Sequence, residues 1–322
     1  MKRIIDDIET AVCELKNGHI LGLPTETVYG LAADATNTNA VREVFTIKSR
    51  PLHHPLILHV AHKDDVYQWV EHVPDYAETL MDTHWPGPLT LVFRLKRDTA
   101  LSPLVTAGQE SIAIRCPGHA SAREIIRRLG APVAAPSANR FGHTSPTEAQ
   151  HVLDDFPDAS FYVFEGGNCS VGIESTIVNA MGAENAEILR PGIITLSSIP
   201  GVSPATTQQT PRVSGSLKQH YQPQKPLYFT AHHTLNTIFE RLPSREHCAL
   251  LGFSTPRTAT RFLYVFAPNP EQASREFYRQ LRLADRTKAS FILVELPPRT
   301  AEWAGLLDRA QKAGRPVSEL LG

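Results

Sequence analysis

The 322-residue chain is poor in several features that would make its role easy to read. Its four cysteines, Cys13, Cys116, Cys169 and Cys248, include no close pair, which argues against both a disulfide framework and a thiolate zinc site. No apolar run approaches the length of a bilayer span. Met1-Lys2-Arg3 leads into alternating apolar and acidic residues without the apolar core of a secretory signal, so the expected compartment is the cytoplasm and no membrane partner is expected. A net charge of -1 gives no global pull toward nucleic acid. Walker-type lysine loops, glycine-rich dinucleotide turns and Gly-flanked nucleophilic serines are missing too, which removes the common nucleotide signatures and any support for a covalent mechanism.

What is present is the composition of an ordinary globular protein, 42% hydrophobic and 20% charged, in a chain long enough for two domains. Ile4, Ile5, Ile8, Val12 and Leu15 at helical spacing predict a helix over 3–17, and a second helix is expected to start at the Asn37-Thr38-Asn39 cluster and end at Lys48. Short apolar runs at 19–23, 56–60, 89–95, 112–116, 133–135, 161–164 and 176–178 read as strands of one large twisted sheet. From about 197 the composition turns to Ser, Pro, Thr and Gln without apolar periodicity, as in a linker. Strand and helix patterns then restart. The division is therefore 1–197, a linker over 198–225, and a small second α/β domain over 226–322.

Polar residues gather where these elements end. Thr25, Glu26, Thr27 and Tyr29 follow a strand, where α/β proteins present ligands, although the same spacing is that of a plain Thr-rich turn. Lys48 and Arg50 lie in a Pro-bracketed loop without an acidic neighbour, which suits a triphosphate or carboxylate and equally suits a solvated helix end. His53 and His54 are adjacent and lack further ligands at metal spacing. His59 sits inside an apolar strand, as a core histidine or a pocket residue. Arg115 ends another apolar strand and so needs solvent or an anionic partner. Ser137 and Asn139, Glu174-Ser175-Thr176, and Arg190-Pro191-Gly192 complete a set of hydroxyls, small residues and cations that a polyanion-binding concavity requires.

Read in order, Pro24 to Leu31, Lys48-Ser49-Arg50-Pro51, Trp85-Pro86-Gly87-Pro88-Leu89-Thr90, Pro136-Ser137-Ala138-Asn139, Glu174-Ser175-Thr176 and Arg190-Pro191-Gly192 resemble the motif set of the YrdC-like domain family over residues 5 to 195. Lys218-Gln219-His220-Tyr221-Gln222-Pro223 and the segment after it resemble the long, two-domain threonylcarbamoyl-AMP synthases. The resemblance implies an α/β fold, a large twisted mixed sheet with a concave site, and a smaller Rossmann-like α/β domain behind it. It implies a synthase that joins L-threonine, bicarbonate and ATP, releases pyrophosphate, and passes its product to a tRNA threonylcarbamoyltransferase, itself binding tRNA weakly or not at all.

By motif position the resemblance places Thr25, His59, Arg115 and Ser175 on threonine. It places Lys48, Arg50, His54, Ser111, Ser137, Asn139, Arg190 and Tyr221 on ATP, with Lys48, Arg50 and Arg115 stabilising charge. Mg²⁺ would arrive with the triphosphate rather than in a dedicated carboxylate cage. Ser49 and His54 stand where the family commonly has Gly and Asn, and Gln219 and Gln222 replace more usual basic and small residues. The rival expectations are a carbamoyl-adenylate-type transferase and an RNA-binding module. The linker around His220 and Tyr221 is expected to act as a lid, oriented by the second domain.

Overall fold

The computed structural model describes residues 3–182, 186–195, 202–204, 210–215, 217, 219–242, 247–255, 260 and 262–321. Much of the expected linker, Lys218 included, therefore lies outside the described residues. Strands β1 (Ile4–Ile5), β2 (Leu21–Leu23), β3 (Gly30–Asp34), β4 (Ile57–His59), β5 (Leu89–Arg94), β6 (Ser111–Arg115), β7 (Val133–Ala134), β8 (Tyr162–Phe164), β9 (Thr176–Asn179), β10 (Ala186–Arg190) and β11 (Val202–Pro204) form one mixed sheet. Its order is β1-β8-β2-β3-β7-β4-β6-β5-β9-β10-β11.

Helices cover both faces of this sheet. On one side α1 (Ile8–Lys16) and α5 (Ala120–Leu129) bury Val12, Leu15, Ile125 and Ile126 against Leu21 and Leu23. On the other, α2 (Thr38–Lys48), α3 (Asp75–His84), α4 (Pro103–Thr106) and α6 (Ala149–Asp155) pack Val44, Leu80, Val105 and Val152 over Leu58, Leu91 and Ile114. Burial on two faces explains why several strands read as continuous apolar runs rather than alternating ones.

Three local readings differ from the sequence expectation. The helix expected over 3–17 starts only at Ile8, because Asp7 caps it by accepting the Thr10 N–H and Ile4 and Ile5 instead pair with β8. The polar stretch after Pro24 turns into β3 from Gly30, a strand whose small residues Gly30, Ala32 and Ala33 conceal its pattern. Within the stretch read as linker, Val202–Pro204 adds a parallel edge strand to β10, a position at which Pro is tolerated.

The second unit is a parallel sheet of β12 (Leu227–Thr230), β13 (Cys248–Gly252), β14 (Phe262–Val265), β15 (Phe291–Glu295) and β16 (Arg315–Pro316), in the order β14-β13-β15-β12-β16. Its helices are α7 (Leu235–Arg241), α8 (Pro270–Asp285), α9 (Ala304–Ala313) and α10 (Ser318–Leu321). At the carboxyl ends of the strands, the Glu295 carboxylate accepts the backbone N–H groups of His233 and Phe253.

The two sheets are joined by a packed seam. Val28, Ile173 and Tyr221 belong to the same buried cluster as Phe277, Tyr278 and Leu306. Backbones touch there: a Cβ on Gly172, itself at φ +83, would stand 2.3 Å from the Arg275 Cα, and one on Gly305 would stand 2.5 Å from the Gly192 carbonyl oxygen. One face of α8 carries Arg275, Arg279 and Arg282, continued by the C-cap Arg286, and these meet the Ser170 carbonyl, Glu148, Asp155 and Asp154 respectively.

Candidate active site

The site begins with strand pairing. β4 and β6 run parallel with His59 opposite Arg115, so the two side chains leave the sheet together at its carboxyl end. β7 lies on the other flank of β4, and its extension brings Ser137 beside Gly30. Thr25, His59, Arg115, Ser137, Arg190 and Tyr221 line one small, tightly closed hollow of about 40 Å³. Six sequence-predicted site residues thus meet in one place.

The others stand behind or beside it. Lys48, the last residue of α2, is 2% exposed, and its ammonium donates to the backbone carbonyls of Ser137 and Asn139. The helix stops there because Ser49 adopts a left-handed conformation, φ 52 and ψ 39, which glycine takes at least cost. Arg50 donates to the carbonyls of Pro55 and His54, with its guanidinium 5.6 Å from the Phe141 ring centroid. Asn139 donates to the carbonyls of Arg140 and His143. Ser175 lies under Arg190, accepting from it at 3.1 Å and sharing a 2.7 Å hydrogen bond with Thr90.

Ser111 and His54 are placed apart from the hollow. Ser111 lines a neighbouring hollow that shares Ile57 and Ser214 with the first. The His54 ring stacks near His53 and Phe141, and burial together with Arg50 lowers its pKa to about 4, so it adds no charge beside Arg50 near neutrality.

The electrostatics divide the cations. Arg190 donates to the Ser175 and Ser214 carbonyls. Neither it nor Lys48 nor Arg50 forms an ion pair with a carboxylate among the described residues. Burial, reinforced by Arg50, drives the Lys48 ammonium well below its ordinary pKa, and burial brings Arg50 to about 10. Arg115 is different, lying 2.7 Å from Glu26 and donating to Thr27 and to the Gly87 carbonyl. Its anionic partner in this structure is thus Glu26, which the sequence left in the motif without a role.

His59 donates from Nδ1 to the Ile57 carbonyl at 3.2 Å, which leaves Nε2 as an acceptor. Burial and Arg115 push its pKa down to about 3. The Thr25 hydroxyl is committed to its own turn, donating to the Val28 carbonyl at 2.6 Å.

Several buried polar atoms around the hollow lack a hydrogen-bond partner: both Glu26 oxygens, Arg115 Nη2, Asn139 Oδ1, His220 Nδ1 and the Tyr221 hydroxyl. The Arg115–Glu26 contact is therefore an ion pair in distance without a well-directed hydrogen bond. Orphaned groups of this kind cost about 1–3 kcal/mol each when left unpaired, and their concentration marks a ligand site. Tyr221 itself is held at φ 65, a strained conformation for a bulky residue.

Sequence reasoning missed Glu174 as a site residue although it quoted the motif. Its carboxylate lines the hollow and is held by Arg309, Tyr278 and Ser145. Burial pushes that carboxyl up, but Arg309, Arg190 and the Ser145 hydrogen bond bring it down to about 2. The only group of metal-ligand type among the described residues, His232, His233 and Glu295, lies in the second unit, where backbone N–H groups already occupy both Glu295 oxygens.

Comparison with known proteins agrees with this geometry. A family model described as telomere recombination matches residues 13–192, and another, described as the C-terminal domain of threonylcarbamoyl-AMP synthase, matches residues 185–314. Threonylcarbamoyl-AMP synthase of Bacillus subtilis is 35% identical over 321 residues, covering 95% of this chain and 92% of that protein. The synthase of Pyrococcus abyssi is 31% identical over 322 residues, covering 95% and 93%. The crystal structure of P. abyssi Sua5 complexed with L-threonine superposes with a TM-score of 0.86 at 27% identity, covering 98% of this chain and 99% of that one. Similarity that runs through nearly the whole of both chains places the chain in the threonylcarbamoyl-AMP synthase family.

Proposed function

We propose that this protein is an L-threonylcarbamoyladenylate synthase, a nucleotidyltransferase that makes threonylcarbamoyl-AMP and pyrophosphate from L-threonine, bicarbonate and ATP. The observation that carries the reading is that one hollow is lined by two kinds of cation: Arg190, which has no carboxylate partner and is backed by Lys48 behind Ser137, and Arg115, which stands beside His59 and pairs with Glu26 outside the lining. The first suits a triphosphate. The second offers a charged pair and a neutral imidazole to an amino acid.

The threonine amine and bicarbonate give a carbamate with loss of water. A carbamate oxygen then attacks the α-phosphorus of ATP, the bond to the β-phosphate oxygen breaks, and pyrophosphate leaves with its electron pair. No protein nucleophile is required. Lys48, Arg50 and Arg190 gather and stabilise the negative charge on both reacting groups, and fixed dipoles and cations of this sort act strongly in a buried site. Glu26 and Glu174 are occupied by arginines, so the magnesium of an MgATP substrate would be held by phosphate oxygens and water and would supply charge neutralisation there.

Residues 1–197 form the catalytic unit of this proposal, 226–322 the second domain, and His220 and Tyr221, from the segment between them, the cover. His220 and Tyr221 already close the hollow, being 7% and 1% exposed, and a closed site excludes water from a labile carbamate and mixed anhydride. Among the described residues no helix is long and apolar enough to cross a membrane. The working compartment is the cytoplasm, where a tRNA threonylcarbamoyltransferase takes the product for threonylcarbamoyladenosine at tRNA position 37.

The test is pyrophosphate release with formation of a labelled adenylate from MgATP, bicarbonate and radiolabelled threonine, with serine as control. Threonine-dependent product supports the synthase. ATP binding without product, or salt-sensitive RNA binding without ATP turnover, overturns it in favour of carbamoyl transfer or RNA recognition.

A further inference from the structure

A residue of the second domain stands at the centre of the site's back wall. Arg309, from α9, is 0% exposed. Its Nε donates to the Glu174 carboxylate at 2.7 Å, its Nη2 to the Glu174 carbonyl at 3.3 Å, and its Nη1 to the Pro191 carbonyl at 2.9 Å. Its guanidinium lies 5.1 Å from the Tyr221 ring centroid. One side chain therefore reaches the Glu174-Ser175-Thr176 loop, the Arg190-Pro191-Gly192 turn and the covering tyrosine. Tyr278, from α8, donates to the same Glu174 carboxylate at 2.9 Å.

The charge arithmetic gives these contacts a purpose. Glu174 is the carboxylate among the residues that line the hollow, and Arg190 is close enough to influence it. An uncompensated negative charge there would attract Arg190 and repel incoming phosphates. Arg309 cancels that charge from behind, and its second partner outside the hollow, Asp308 at 2.6 Å, is itself balanced by Lys312 at 2.8 Å. Arg190 then keeps only carbonyl and hydroxyl partners and its full charge for a ligand.

We propose that Arg309 is a positioning residue of the synthase, by which the second domain neutralises Glu174 and so preserves the positive charge of the triphosphate side. The proposal rests on the synthase reading above and assigns the second domain a direct part in it. Arg309 touches no substrate. It acts through Glu174, Pro191 and Tyr221.

The experiment compares full-length wild type with Arg309→Met, Glu174→Gln, the double variant and Arg309→Lys. Each is checked for folding by circular dichroism and melting temperature. MgATP and threonine KM and kcat are then measured separately, alongside calorimetric affinity for inorganic tripolyphosphate. Arg309→Met is expected to weaken tripolyphosphate and raise the MgATP KM by about tenfold or more, since it leaves a buried charge uncompensated. Adding Glu174→Gln removes that charge and should return both to within about threefold of wild type, although no contact is restored. Arg309→Lys should fall between.

A folded Arg309→Met with unchanged polyanion affinity overturns the proposal. So does a double variant as impaired as the single one, which would make Arg309 a packing residue only. Should Arg309→Met fail to fold, Glu174→Gln decides: it is expected to hold or improve tripolyphosphate affinity, and a loss of about tenfold refutes the charge argument. Wild type that binds tripolyphosphate but releases no pyrophosphate with threonine counts against the synthase reading alone, because the polyanion series still reads Arg309.

Discussion

Buried cations occur in two kinds of place in this protein. Lys48, Arg50 and Arg190 are held by carbonyl and hydroxyl oxygens, which orient a charge without cancelling it. Arg115 and Arg309 are held by Glu26 and Glu174, which cancel it. Desolvating an unpaired charge is costly, so a chain that keeps uncancelled cations in, behind and beside the wall of one hollow is built to have them met by a ligand. The paired arginines spend their charge on geometry.

The largest test of this contrast is Lys48→Met. Removing one positioned charge should lower pyrophosphate release by about 10²–10³-fold, with MgATP affinity falling more than threonine affinity. Equal loss of both affinities in a folded variant would erase the distinction between the sides. Next comes Arg115→Lys, which keeps the charge but loses the planar fork and should raise the threonine KM by about tenfold while leaving the MgATP KM within about twofold.

A proton-linked effect sharpens the same comparison. Burial depresses Lys48 well below its ordinary value, whereas a bound triphosphate favours its charged form. Binding of ATP should therefore take up protons, seen as a dependence of the calorimetric enthalpy on buffer ionisation, and affinity should fall as pH rises. Lys48→Met should abolish the dependence.

Stability provides a further check. His59, His151 and His220 are brought to about 3, by burial first and by nearby arginines in the cases of His59 and His151. A histidine kept neutral in the fold protonates in the unfolded chain from its ordinary 6.5 downward, so its contribution is intact above that pH and is lost as pH falls toward 3. Glu174 acts in the same direction between 4.5 and about 2. Melting curves should show a decline below pH 6.5 steeper than the about 1.4 kcal/mol per pH unit of a single group. The smallest effect is expected for Arg279→Ala, whose exposed pair with Glu148 on the seam should contribute less than about 1 kcal/mol.

The legible parts of the molecule were those with strong local signals. The second helix starts at the Asn37-Thr38-Asn39 cluster as read, with Asn37 as its cap, because an N-cap is decided by the side chain's own neighbours. The parallel strands around His59 and Arg115 were legible as apolar runs, though not their order, since register across a mixed sheet depends on residues far apart in sequence. The motifs located the hollow but could not separate lining from backing: Ser137 lines it, whereas Lys48 reaches it through two carbonyls. Glu174 escaped because its partner, Arg309, lies 135 residues away. The arginines of α8 and its C-cap could have been read, for residues 275, 279, 282 and 286 recur on one helical face and announce an acidic surface to meet them.

Glu295 closes the account of the second domain. Parallel sheets of this type ordinarily receive ligands at the carboxyl ends of their strands, where loop N–H groups converge. Here two such groups, from His233 and Phe253, converge on a carboxylate that the chain itself provides from β15. The domain thus carries a built-in surrogate guest, a carboxylate of its own standing where those strand-end N–H groups would otherwise meet an anion.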